Sequence, residues 1–215
     1  MKRRTLDVAF SVGGLLLAGL LLIAGFVLTS NANFAKNYVT TQLTEQHITF
    51  KTASTLTDEE KKSACLVKYA GQPLTTGKQA ECYANEFIGL HLKSTAGGKT
   101  YAELGDSQSQ LRTQITQAQQ SNDPNLASLQ KQLTDLTGQR ETVFKGETLR
   151  GLLLSSYGFS EFGVKAAQAA LVAFLAAALM ALLAIAGFVH AYVTPKNTAF
   201  APIQPGVPDK PYANV

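Results

Sequence analysis

AAQAALVAFLAAALMALLAIAGFVHAYV, residues 166–193, decides the fold. It contains no Asp, Glu, Lys or Arg. At about 1.5 Å rise per residue, a helix of this stretch crosses the ~30 Å hydrocarbon layer of a bilayer with residues to spare. Ala169, Ala173, Ala177 and Ala181 recur every fourth position and predict a stripe of small side chains along one face. Such stripes let helix backbones approach closely in lipid. Alanine also has the highest helix propensity, so a plain anchor is the competing reading. With no ionisable group mid-span, nothing here suggests a proton or ion relay.

A second apolar run lies near the other end. Residues 8–28, VAFSVGGLLLAGLLLIAGFVL, follow Lys2, Arg3 and Arg4. A basic start before an apolar run also fits a secretory signal, and Ser30-Asn31-Ala32 resembles a cleavage site. The run is longer than the core of about 7–15 residues found in signal peptides, so a retained span over 8–30 is expected. Gly14 and Ala18 give this span a small-residue face too, so the two spans are able to pack on each other.

The chain has 215 residues, 46% of them hydrophobic and 16% charged, with a formal net charge of +4. Residues 31–165 hold fourteen Lys/Arg against thirteen Asp/Glu and are nearly neutral. The remaining excess sits at the ends, on Lys2, Arg3, Arg4, Lys196 and Lys210. A nucleic-acid partner would call for a basic stripe on a folded face, and none is expected. Positive flanks stay inside, which predicts a two-pass protein of the plasma (inner) membrane. Residues 1–7 and 194–215 would be cytoplasmic, and 31–165 extracytoplasmic. Tyr157, Phe159, Phe162 and Tyr192 flank the second span, where amphipathic rings favour the interface. Prolines at 195, 202, 205, 208 and 211 predict a flexible or polyproline-type tail.

The middle region reads as helical. Phe34, Tyr38 and Leu43 continue the first span outward, and residues 47–51 alternate as a short extended piece. Thr57 with Glu60 forms a capping box that predicts a helix to about Tyr69. Thr76 caps the next helix, with Ala80, Tyr83, Phe87 and Leu90 on one face, and Gly97-Gly98 ends it. Thr100 with Glu103 repeats the box. A Gln-rich segment follows, with Leu111, Ile115 and Ala118 as one seam. Asn122-Asp123-Pro124 breaks it, and Leu126, Leu129, Leu133 and Leu136 form a heptad seam. This predicts an antiparallel helical hairpin over about 101–138, either packing only on itself or reaching a neighbour. Leu149 and Leu152–Leu154 make the return segment apolar where it meets the outer surface. The fold class is therefore mainly α, two transmembrane helices with a helical extracytoplasmic domain that includes the hairpin.

Chemistry is sparse. Cys65 and Cys82 are the only cysteines, and an oxidising compartment argues for one disulfide between them. Free thiols or metal ligation are the alternatives, without the spacing of a zinc site. His47 and His91 lack the local spacing of a two-His-one-carboxylate iron site. His190 reads as an interfacial residue. No nucleophile elbow, P-loop, dinucleotide fingerprint or HExxH motif is present. No catalytic residue, cofactor, metal or small-molecule substrate is expected, and the expected contacts are membrane lipid and other membrane subunits.

KYAGQ at 68–72, Leu74, Thr76-Gly77, Gln79-Ala80, Tyr83-Ala84 and His91-Leu92-Lys93 resemble a family of two-span actinobacterial membrane proteins. So do GKTYAEL at 98–104 and FKGETLRGLLL at 144–154. Members are often labelled aromatic ring-opening dioxygenases, a label these residues do not support. The family resembles the supercomplex-associated factor of the mycobacterial cytochrome bcc–aa3 respiratory assembly. The resemblance implies a non-catalytic accessory subunit, serving stability or assembly beside the quinol-oxidising and oxygen-reducing complexes. The Gln-rich hairpin and the cysteine pair depart from the family pattern. A second expectation, from the polar hairpin, is an envelope binding or scaffold protein whose outer helices recognise a cell-wall component, lipid or secreted protein.

Overall fold

The computed structural model describes residues 3–195. Lys2, Lys196, Lys210 and the proline-rich stretch from residue 196 onward lie outside them. The chain is mainly helical, with no strand among the described residues. It divides into an apolar unit, Met1–Asn31 with Ala166–Val215, and an outer unit, Ala32–Lys165.

The part of helix α1, Arg3–Glu45, up to Asn31 supplies one half of the apolar unit, and the part of α6, Leu126–Val193, from Ala166 the other. Both contain windows apolar enough to cross a membrane, with mean hydropathy 2.4 and 2.7. Only 17% and 22% of these windows is buried, whereas a core helix of a soluble protein would be mostly buried. Leu16, Leu20 and Ile23 on α1, and Leu175, Leu179 and Leu182 on α6, point outward. The pair fits a two-pass membrane protein.

What the two spans turn inward is small. Ser11, Gly14, Ala18 and Gly25 are buried on α1, and Ala170, Ala177, Ala184 and Ala191 on α6. A Cβ added at Gly14 would lie 3.4 Å from that of Ala184. Phe26 and Phe174 meet edge to face at 5.3 Å. Asp7 Oδ2 and His190 Nδ1 are 2.9 Å apart, joining the helix ends where the sequence suggests only an interfacial histidine.

The buried α6 alanines stand every seventh residue, not every fourth. Of the stripe expected from spacing, Ala177 is buried, Ala173 and Ala181 are half-buried, and Ala169 is exposed. Four residues overshoot one turn by about 40°, so a four-residue stripe winds off the contact. A heptad drifts by only about 20° and follows the neighbouring helix. The alanines therefore face the chain's own first span.

The outer unit begins within α1, at Ala32, and α1 itself ends at Glu45. An extended piece after His47 pairs antiparallel with the segment before Thr75, through Thr49 and Pro73. Leu74 N–H donates to Ile48 O at 2.8 Å, and Phe50 N–H to Gln72 O at 3.0 Å. The Thr57–Glu60 box forms, but it opens a single 3-10 turn, Glu60–Lys62, instead of a helix reaching Tyr69. Ser63 takes extended backbone angles and caps a separate helix, α2, Ala64–Tyr69. A second cap in the middle of the segment outcompetes helix continuation.

Glu60 is almost fully buried and its carboxylate bonds Lys51 Nζ at 2.8 Å. Burial raises its pKa, but hydrogen bonds from Lys51 and Thr57 outweigh that and hold it below the ordinary carboxylate value. Helix α3, Gly77–Cys82, starts at the Thr76–Gln79 capping box. It passes into a π-helical segment, Tyr83–Ile88, and then α4, Gly89–Thr95. Buried residues through Ala96 are Gly77, Gln79, Ala80, Cys82, Ala84, Leu92 and Ala96, with Ile88 half-buried. Ala80, Ala84, Ile88, Leu92 and Ala96 stand four apart beside the face expected through Ala80, Tyr83, Phe87 and Leu90, whose last three residues are half-buried. An α-helix would rotate such a set out of register, and the wider π turn brings it back.

Helix α5, Tyr101–Ser121, begins with the Thr100–Glu103 box. Asn122 adopts left-handed angles at its end, and Asp123 Oδ1 accepts from Asn125 N–H at 2.7 Å before α6 starts. Leu104, Gln108, Ile115 and Ala118 are buried on α5, and Leu126, Leu129, Leu133 and Leu136 half-buried on α6. Gln108, polar within an apolar seam, donates to Thr137 Oγ1 at 2.7 Å and accepts from Arg140 Nη1 at 3.0 Å. A satisfied polar group in such a seam specifies register.

Candidate binding groove

The outer unit encloses an open groove of about 880 Å³. Its first wall is the outer part of α1, with Tyr38, Val39, Gln42 and Leu43 at helical spacing, and Gln46 and Ile48 just beyond. The π-helical segment gives the second wall, Tyr83, Phe87 and Ile88. The return segment of α6 gives the third, with Leu149, Leu152, Leu153, Ser155, Ser156 and Phe159. No lining residue is charged; the polar ones are amides, hydroxyls and phenols.

Each wall is held by the core behind it. Val39, Leu43 and Leu153 belong to the buried cluster that also contains Phe50, Leu66, Leu74 and Ala80. Leu66 and Leu74 are each 1% exposed. Fully burying a leucine stabilises by about 2 kcal/mol, so these anchors fix the backbone under the groove. Aromatic rings run along the second wall, with Phe50–Tyr83 centroids at 5.3 Å and Tyr83–Phe87 at 4.6 Å. Tyr38 meets Phe159 edge to face at 5.8 Å and stacks on Phe34. Burial pushes the Tyr83 phenol up from its ordinary value, so it stays neutral. Lys51 Nζ lies 5.2 Å from the Phe87 ring centroid while bound to Glu60.

Cys65 and Cys82 are joined as a disulfide, with Cα atoms 6.0 Å apart, and it ties α2 to the residue preceding the π-helical segment. The pair therefore braces the second wall. His47 and His91 do not come together as ligands. His91 Nδ1 lies 2.8 Å from Phe87 O, and no group of three or more His, Cys, Asp or Glu gathers as a metal site among the described residues. Lys78 links α3 to α6, with Nζ 3.0 Å from the Tyr157 hydroxyl and 3.4 Å from Glu161.

Sequence pattern identifies most of the lining residues as apolar, but assigns Tyr38, Phe87, Leu152 and Phe159 to four separate roles. Their convergence depends on chain pairing that no local period encodes. The signal present was FKGETLRGLLL, whose Leu149 and Leu152 remain exposed in a water-facing composition. Comparison with protein-family models, with curated proteins and with solved structures finds no match.

Proposed function

We propose that this chain is a non-catalytic accessory subunit of a membrane protein complex, anchored by two spans and recognising its surroundings through the outer-unit groove. The observation that carries the reading is the groove itself, about 880 Å³ with an uncharged, largely apolar lining. An uncharged lining with no nucleophile paired with a base supports binding over catalysis. The charged group beside the groove, Lys51, is engaged in holding structure through Glu60.

The resemblance in the 98–104 and 144–154 segments names the most specific version: membership of the two-span actinobacterial family, and association with the cytochrome bcc and aa3 oxidase subunits. In this reading both termini are cytoplasmic, the outer unit is extracytoplasmic, and α5 with residues 126–138 forms an antiparallel arm. An oxidising exterior suits the disulfide. Purification of the oxidase from native membranes in mild detergent, followed by mass spectrometry, tests the reading. Stoichiometric recovery of this chain supports it, and persistent absence refutes it.

The second reading is an envelope binding or scaffold protein, favoured by the Gln-rich surface of α5 and early α6. Under it, deleting residues 108–132 abolishes envelope binding and spares membrane insertion. As an accessory subunit, the same deletion leaves co-purification with the oxidase intact.

A further inference from the structure

We infer that the groove seats the aliphatic chain of a membrane lipid, with an uncharged ester or hydroxyl of the lipid presented to Gln42 and Gln46. This inference rests on reading the groove as a binding site, and it goes further by naming the occupant. Four observations favour a lipid chain over a polypeptide.

The volume of about 880 Å³ falls in the range of small-ligand sites, roughly 300–1,000 Å³. The lining lacks any charge that would pair with the polar rim of a protein helix, a feature such helix-in-groove contacts normally use to fix register. The polar groups present are neutral. Gln42 on α1 and Gln46, just past its end, stand four residues apart, and their side-chain amides bond no other described residue. Ser155 and Ser156 already donate to Gly151 O and Leu152 O, so they offer only acceptor capacity. Lastly, two walls belong to the same helices, α1 and α6, whose other parts are apolar enough to cross a membrane. Tyr38 follows Asn31, and Phe159 precedes Ala166, by about two helical turns. On the two-span reading, lipid is the ligand that those helices already contact.

The other depressions support nothing comparable. One beside the disulfide, about 380 Å³, is edged by Lys68, Lys78, Glu81 and Glu86. Two along α5 are lined mainly by polar side chains, several of them glutamines.

The test uses the full-length protein in phosphatidylcholine vesicles containing a phosphatidylcholine with a diazirine in one acyl chain. After irradiation, labelled peptides are mapped by mass spectrometry. Adducts are expected in residues 38–48 and 149–159, as well as on the outward faces of the spans. Leu152→Asp places a charge at an exposed groove position and should lower labelling of those two segments about tenfold, ~1.4 kcal/mol. Labelling of 171–185 in the same sample should not change. Gln42→Ala with Gln46→Ala, both surface positions, should lower it about threefold without altering the circular dichroism melt. A diazirine polyprenol in place of the acyl probe tells a prenyl from an acyl preference, and groove labelling by either supports the inference.

Unlabelled groove segments, or labelling indifferent to both variants, overturn it. So does a photoreactive residue at position 152 that traps a polypeptide in native membranes. That last result leaves the accessory-subunit reading standing. Absence of the chain from the purified oxidase would remove the accessory reading and leave lipid labelling unaffected.

Discussion

The apolar unit and the outer unit are both helical, yet they are held together by different chemistry. In the first, glycine, alanine and serine make the contact and the large aliphatic residues face away. In the second, Leu66, Leu74 and Phe50 are buried, and a disulfide, an ion pair and three capping boxes fix the chain around them. The difference is the one that lipid around the first unit and water around the second would produce. Lipid tails gain nothing from expelling a leucine, so helices in a bilayer associate through close backbone approach and dispersion. Water rewards burial, and short helices in water need caps and cross-links to persist.

Removing the disulfide gives the largest expected effect. Cys65→Ser with Cys82→Ser should destabilise the outer unit by about 3 kcal/mol, the loop-closure contribution for a separation of 17 residues. Denaturant unfolding in detergent, monitored from outer-unit tyrosines, measures it. Reducing agent should reproduce the loss and leave the α1–α6 contact of the apolar unit unaltered. If both units weaken equally, the contrast between them fails.

Ala177→Leu addresses the other side. Ala177 is 1% exposed and has no room for three more carbons, so overpacking should cost about 2–3 kcal/mol. Ala169→Leu, at an exposed position of the same run, should stay within about 0.5 kcal/mol. Thermal unfolding of the two variants in identical micelles separates a heptad seam from a four-residue stripe. Equal costs would return the stripe to consideration.

Glu60→Gln should weaken the outer unit by about 2 kcal/mol, the scale of hydrogen bonds to a charged group. The folded Glu60 has a lowered pKa, so its contribution is present above the ordinary carboxylate value and disappears as pH falls through the lowered one. Stability measured against pH should therefore decline less steeply in acid for the variant than for the parent. Identical slopes would show that Lys51 does not hold the carboxylate ionised.

Thr100→Ala is the mildest perturbation. It removes the hydroxyl that accepts from Glu103 N–H at the start of α5 and should cost about 1 kcal/mol. Amide exchange in the first turn of α5 should quicken while that of α3 stays unchanged.

The two spans and the helix starts at Thr76 and Thr100 were legible because each depends on a few adjacent residues. A run without charge and an S/T-x-x-E/Q box are local facts. The break at Ser63 was not legible, since two plausible caps compete there and only the packing of Leu66 decides. The seam was half legible. Composition marked small residues as the contact, but choosing between periods of four and seven requires knowing which helix lies opposite. The groove was least legible, because its three walls come from segments far apart in sequence. Gln108 was hidden for a related reason, its partners Thr137 and Arg140 lying beyond the Asn122–Asp123–Pro124 break.

The π-helical segment at Tyr83–Ile88 turns the unit's tolerance to chain-length change into a local property. Deleting one residue there would let the backbone relax to an ordinary α-helix. Everything after it would rotate by about 100°. Leu92 and Ala96 would swing away from Leu104 and Val143, with which they now share a buried cluster. The extra residue is thus a counting device, and homologues should conserve the number of residues between Cys82 and Leu92 more strictly than their identity. Between Asn122 and Asn125 the same one-residue change would fall on the turn that joins α5 to α6, outside any helix.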